Sequence, residues 1–111
     1  MKTKPIKLNP LQKRTLALFQ RLASNPESST ENVETGEVSV SYLPEPHGDH
    51  VHVGDIVVSS NEASGFANEA VWRALERKGL ITSHFPLRVI LTVEGLNYDT
   101  GLQNYFKQSN H

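Results

Sequence analysis

Residues 70–81 read AVWRALERKGLI, and the predicted fold depends mainly on these twelve residues. Its apolar side chains recur at helical spacing, and Arg77 and Lys78 stand in the last turn, where the helix dipole favours cations. Gly79 follows as a suitable C′ glycine, because glycine adopts the left-handed backbone conformation without a steric penalty. The stretch therefore predicts an amphipathic helix that ends before Gly79 and is followed by an apolar segment.

The same helix is expected to extend upstream, into residues 61–69, NEASGFANE. Ser64 is the expected N-cap, because a hydroxyl at this position can accept a hydrogen bond from a free N–H group of the first turn. Trp72 is the only tryptophan, and it neighbours the apolar stripe that contains Val71 and Leu75. We expect Trp72 to pack in the core, with an interface anchor as the alternative.

Downstream of the helix, residues 84–86, HFP, form a short connection to a predicted strand, LRVILTV, at 87–93. Residues 94–108, EGLNYDTGLQNYFKQ, are predicted to be helical, and residues 107–111 are expected to fray. The apolar face of this last helix would pack in the core or form a homodimer. Its members are Leu96, Tyr98, Leu102, Tyr105 and Phe106.

The clearest helix lies near the N-terminus, at residues 8–24, LNPLQKRTLALFQRLAS. Asn9 is a good N-cap and Pro10 suits the first helical position. Residues 1–8, which precede the helix, are predicted to be a basic, flexible arm. The apolar stripe of the helix is formed by Leu11, Thr15, Leu18 and Leu22.

Two segments in the middle of the chain alternate with the period of a half-buried strand. In residues 38–42, VSVSY, the valines and Tyr42 alternate with serines. In residues 50–53, HVHV, the valines should face the core and the histidines the opposite side. Residues 56–58, IVV, are β-branched, which favours a further strand.

Three of the five histidines lie within residues 46–54, PHGDHVHVG. His50 and His52 should project from one face of a strand, and the Gly48 turn could bring His47 to the same face. Three imidazoles completed by water or a carboxylate would suit zinc. The spacing His-x-x-His-x-His resembles the zinc-binding motif of pneumococcal histidine-triad proteins. The other interpretations are a polar strand face and a contact that responds to a partner or to pH.

Composition limits the class of protein. A chain of 111 residues fits one domain, and the absence of cysteine excludes disulfides and thiolate chemistry. The basic N-terminus has no apolar segment behind it, and no run reaches transmembrane length, so we expect a cytoplasmic protein with no membrane partner. No nucleophile–base pair or phosphate loop stands out, and we expect no enzyme.

Charge is unevenly distributed along the chain, although the formal net charge is only −1. Residues 1–21 carry six basic and no acidic residues, and residues 22–71 carry nine acidic residues and no lysine or arginine. Residues 72–111 carry five basic and three acidic residues. The two ends either attract the acidic middle within one folded domain or provide a basic contact surface.

Residues 64–96 resemble the C-terminal half of a winged helix-turn-helix domain of the MarR, GntR and PadR families. The resemblance rests on Leu75, Gly79 and Leu80 at the helix end and on Leu91, Thr92 and Gly95 after the strand. It implies a recognition helix followed by a wing, within one α+β, winged-helix-like domain with a small antiparallel sheet over residues 9–106. Two features depart from the family: the segment before the helix is strand-like, and the wing, TSHFP at 82–86, is short.

The resemblance implies a DNA-binding or transcription-associated protein that contacts duplex DNA through basic and polar side chains. The alternative is a non-catalytic protein-interaction adaptor, which the acidic middle favours and which would include the histidine cluster as a metal site. The expected DNA contacts are Lys13, Arg14, Arg21, Asn68, Arg73, Arg77 and Lys78, and the candidate zinc ligands are His47, His50 and His52.

Overall fold

The computed structural model describes residues 6–54 and 56–102 and shows an α+β fold, as predicted. Among these residues, no helix is long and apolar enough to cross a membrane. A 3-10 helix at Ser64–Ala67 precedes the second α-helix. The remaining elements, in chain order, are α1 Pro10–Ala23, β1 Ser29–Glu31, β2 Val38–Val40, β3 His50–Val53, β4 Ile56–Ser59, α2 Glu69–Arg77, β5 Ile81–His84, β6 Arg88–Leu91 and α3 Val93–Asn97.

The described strands form two antiparallel sheets. The larger sheet has the order β1–β2–β6–β5, so that β6 lies between the strand that precedes α2 and the strand that follows it. Val40 pairs with Val89 across β2 and β6, and both side chains are fully buried. The smaller sheet is the hairpin of β3 and β4, in which Val51 pairs with Val58. Each sheet therefore buries one face, as the period-2 pattern of its strands requires.

Helix α1 contributes one side to the core: residues 15–19 and Leu22 are buried. Its cap is as predicted: Asn9 Oδ1 accepts a hydrogen bond from Gln12 N, and the Gln12 side chain accepts one from Asn9 N. Phe19 stacks on Phe66 with ring centroids 5.5 Å apart and meets the edge of Trp72 at 5.2 Å. Trp72 is fully buried, which confirms its predicted place in the core.

The predicted start of α2 at Ser64 is wrong. Residues 64–67 form the 3-10 helix, and α2 begins only after Asn68, whose side chain accepts a hydrogen bond from Ala70 N. The reason lies in long-range packing. A Cβ atom at Gly65 would overlap Thr15 Oγ1 on α1, and the Gly65 carbonyl accepts a hydrogen bond from Trp72 Nε1 at 3.1 Å. The segment is thereby held against α1 and does not continue into α2.

The prediction of a helix over residues 94–108 is also wrong within the described residues, because α3 ends at Asn97. Tyr98 has an extended backbone, and its hydroxyl donates a hydrogen bond to the Ile6 carbonyl at 2.6 Å. Gly101 has a φ of +74°, which a helix does not allow. Residues 103–111 lie outside the described residues, and with them the frayed tail and part of the proposed dimer face, including Tyr105 and Phe106.

The first half of the chain differs from the prediction at the end of β2 and in the N-terminal arm. Tyr42 is not part of β2 and is 64% exposed, so the predicted alternation ends at Val40. Residues 1–5 of the predicted arm lie outside the described residues, whereas Leu8 is buried in the core.

Candidate functional site

The first candidate surface is the exposed side of α2. The helix buries Val71, Trp72, Ala74 and Leu75 against the core, as its amphipathic sequence requires. Arg73, Arg77 and Lys78 are exposed. The structure therefore places two of these predicted DNA contacts on α2 and the third, Lys78, directly after it, before the β5–β6 hairpin.

The acidic residues of α2 have partners close by. Glu69 Oε2 accepts a hydrogen bond from Arg73 Nη2 at 3.1 Å, the (i, i+4) spacing that favours ion pairs on a helix. Glu76 Oε2 accepts one from the backbone N–H of Ser83 in β5 at 3.1 Å. The Glu76 carboxylate thus fastens the hairpin to α2, and the Glu69 carboxylate orients Arg73.

The β5–β6 hairpin adds a basic residue that sequence reasoning missed. Arg88 is exposed at the start of β6, directly after Leu87, which is 78% exposed at the hairpin turn. A signal was present, since residues 77–93 contain Arg77, Lys78 and Arg88 but no aspartate or glutamate. The surface formed by α2 and the β5–β6 hairpin is called the α2–hairpin surface below.

The other predicted DNA contacts lie elsewhere or have another role. Lys13, Arg14 and Arg21 are partly exposed residues of α1, and Arg14 and Arg21, seven residues apart, project from the same side of that helix. Within the described part of the chain, Arg14 Nε is buried and has no hydrogen-bond partner. Asn68 Oδ1 is engaged in capping α2, so this atom serves the fold.

The second candidate surface is formed by His47, His50 and His52. As predicted, Val51 and Val53 of β3 are buried, while His52 is exposed and His50 is half-buried on the opposite face. A tight turn places His47 directly opposite His50. His47 N donates to His50 O at 2.7 Å, and His50 N lies 3.4 Å from His47 O.

The three imidazole rings form a cluster, called the histidine cluster below. The ring centroids of His50 and His52 are 4.9 Å apart, and that of His47 lies 5.9 Å from His52 and 6.3 Å from His50. Asp49 Oδ1 lies 3.4 Å from His50 Nδ1. Among the described residues, no three histidine, aspartate or glutamate side chains are arranged to hold a metal ion in the conformation seen.

A cavity of about 500 Å³ lies between the segment of residues 43–46, the 3-10 helix and the β5–β6 turn. Its walls are mainly apolar: Pro46 and Val51 come from the histidine side, Phe66 from the 3-10 helix, and Phe85 and Pro86 from the β5–β6 turn. The strand that carries the histidine cluster and the β5–β6 turn therefore share the lining of one cavity.

Comparison with protein-family models, with curated proteins and with solved structures finds no match to this chain.

Proposed function

We propose that the chain is a winged-helix-type DNA-binding domain, in which α2 is the recognition helix and the β5–β6 hairpin is the wing. The observation that carries the proposal is the strand order. A strand before the helix, β2, pairs with the second strand of the hairpin after the helix, β6, and not with the first, β5. In the proposed assignment β6 is the second strand of the wing, and its pairing with β2 joins the wing to the rest of the sheet. The β3–β4 hairpin and the 3-10 helix would then replace the short helix that the family has before its recognition helix.

The dimensions of α2 support this role. An α-helix with its side chains is about 10 to 12 Å in diameter, which fits the major groove of B-DNA at about 12 Å, and α2 has nine residues with which to contact it. The buried side of α2 is occupied by Trp72 and Leu75, so its outward side is the one available to a groove. Arg73 lies on that outward side and Arg77 follows one turn later.

The charge of the α2–hairpin surface also supports the proposal. Arg77, Lys78 and Arg88 are exposed, and the acid-free run from residue 77 to residue 93 spans the end of α2 and the entire hairpin. Phosphate contacts supply most of the non-specific affinity of DNA-binding proteins, and exposed arginine and lysine side chains provide them. Lys13, Arg14 and Arg21 on α1 would add contacts at a second position on the phosphate backbone.

The test is binding of a fluorescently labelled DNA duplex at low salt, followed by anisotropy. The Arg73→Ala/Arg77→Ala variant should bind at least about tenfold more weakly, since each lost phosphate contact removes an electrostatic contribution of this order. The matched control is Thr30→Glu/Val33→Glu, which lowers the net charge by the same two units at exposed positions of the β1–β2 hairpin. Equal losses in both variants would show non-specific attraction, and absence of wild-type binding at tens of micromolar would overturn the proposal.

The second candidate function is a non-catalytic protein-interaction adaptor, and the β1–β2 hairpin favours it. Glu31 and Glu34 are exposed there, and Val33 is 86% exposed between them. The two carboxylates repel phosphates but attract a basic protein surface, and the exposed valine between them adds an apolar contact. Failure of the wild-type chain to bind DNA would leave this function as the better one.

A further inference from the structure

We propose that the histidine cluster is a zinc-binding site, with His47, His50 and His52 as its three protein ligands. The spacing of the three imidazole rings is close to that of a zinc site. Three imidazoles on a tetrahedral zinc ion, with Zn–N bonds of about 2.0 to 2.1 Å, have ring centres about 5 to 5.5 Å apart. The observed separations of 4.9, 5.9 and 6.3 Å lie within about 1 Å of that spacing.

The second argument is that two independent backbone features bring the rings together. His50 and His52 are two residues apart on β3 and share a face because of the strand period. His47 reaches the same face across the turn, because residues paired directly across an antiparallel bridge project to the same side. The turn depends on Gly48, whose φ of +68° is costly for any other residue. Three histidines then meet although only two belong to the strand.

The third argument concerns the orientation of His50. Asp49 Oδ1 lies 3.4 Å from His50 Nδ1, which favours the tautomer with the proton on Nδ1 and leaves Nε2 as the metal-binding atom. A carboxylate that accepts from the second ring nitrogen is the usual outer partner of a zinc-bound histidine. Water would complete the tetrahedron, because the cluster is at the surface, with His47 and His52 exposed.

The rings are not yet in the liganded arrangement, since no three donor side chains in the described residues can hold a metal ion as they stand. The proposed site therefore requires rotation about the side-chain torsions of the cluster. His47 and His52 are exposed, so their rotation meets little resistance from packing, and the backbone pairing is already formed. Zinc would thus fasten the turn of residues 47–50 to β3, and it would stabilise the folded chain by mass action.

The experiment is calorimetric titration of the purified, tag-free full chain with zinc ions alone. We expect one equivalent to bind with a Kd of about 1 µM or tighter, and each of His47→Ala, His50→Ala and His52→Ala to weaken binding by about tenfold or more. The matched control is His84→Ala, since His84 is an exposed histidine of β5 outside the cluster, and its removal should leave the affinity unchanged. Affinity weaker than about 100 µM, or an equal loss in the His84 variant, would overturn the site.

A second measurement tests whether zinc binding depends on the backbone turn at Gly48 or only on the presence of three nearby histidines. Gly48→Val removes no ligand, and a side chain at Gly48 meets no atom within 4 Å, but it disfavours the turn that presents His47. We expect this variant to bind zinc up to about tenfold more weakly while remaining folded, because a β-branched residue resists a positive φ. In imidazole NMR spectra of the wild-type protein, zinc should shift the three cluster rings together and leave His84 unmoved. Unchanged affinity in Gly48→Val, together with signals that shift independently, would contradict the proposal.

Discussion

The hydroxyl of Thr92 donates a hydrogen bond of 2.7 Å to the carbonyl of Gly79. The same hydroxyl accepts a hydrogen bond from Gly95 N at 3.0 Å and so caps α3. The backbone N–H of Thr92 also donates to Leu80 O at 3.1 Å. The two sequence motifs on which the winged-helix resemblance rests are therefore in contact: one residue joins the end of α2 to the start of α3.

This contact predicts that Thr92→Val is destabilising although the two side chains have nearly the same shape. The substitution removes the α3 cap and leaves the Gly79 carbonyl without this partner, which should lower the free energy of unfolding by about 1 to 2 kcal/mol. Thr92→Ser retains the hydroxyl and should lose much less. Urea unfolding followed by Trp72 fluorescence measures both, and equal losses would show that the hydroxyl is not the cause.

Gly95→Ala offers a test in which local and long-range effects have opposite signs. Gly95 lies within α3, where alanine has the higher helix propensity by about 1 kcal/mol. A Cβ atom there would overlap the carbonyl oxygen of Leu80, however, and strain of this kind costs about 1 to 3 kcal/mol. We expect net destabilisation, measured by thermal unfolding. The control, Glu94→Ala, changes an exposed neighbour and should alter the free energy of unfolding by less than about 0.5 kcal/mol.

The buried side of α2 can be tested with Leu75→Ala. Leu75 and Leu91 are both fully buried in one core cluster. Loss of the Leu75 side chain should therefore cost about 2 to 5 kcal/mol in urea unfolding. Leu87→Ala is the matched control, because Leu87 is 78% exposed and the same truncation there should change stability by less than about 0.5 kcal/mol. A loss at Leu75 as small as that at Leu87 would place the wrong side of α2 in the core.

The elements that could be predicted are those whose signals are local. Asn9 and Pro10 determine the start of α1, and the alternation of His50 to Val53 determines which face of β3 is buried. Gly79, with a φ of +78°, ends α2 where the sequence placed its C′ position. In each case the residue acts on its own element, so no knowledge of tertiary contacts was needed.

The elements that could not be predicted depend on distant residues. The start of α2 is displaced because Gly65 packs against Thr15, fifty positions earlier in the chain. Residues after Asn97 leave the helix, and Tyr98 is bonded to the Ile6 carbonyl at the other end of the chain. Neither contact leaves a periodic pattern in the sequence.

Each candidate site likewise contains residues that could be predicted from the sequence and residues that could not. The shared face of His50 and His52 follows from strand period alone, whereas the position of His47 requires the observed backbone pairing across Gly48. On the α2–hairpin surface, Arg73 and Arg77 were predicted from their helix. Arg88 was not predicted because it lies outside that helix, at the start of β6, although the acid-free run of residues 77–93 includes it.

Salt dependence gives the last prediction, because it counts the phosphate contacts of the proposed DNA complex. Each contact contributes about 0.9 to the slope of log affinity against log salt concentration, since neutralising a phosphate releases its counterions. Removing Arg73 and Arg77 should therefore reduce the slope by about 2. The Thr30→Glu/Val33→Glu control should leave it unchanged, because those positions lie on the β1–β2 hairpin. Anisotropy titrations at four or more salt concentrations provide the slopes. An unchanged slope in Arg73→Ala/Arg77→Ala, with a reduced slope in Arg14→Ala/Arg21→Ala, would place the DNA on α1 and contradict α2 as the recognition helix.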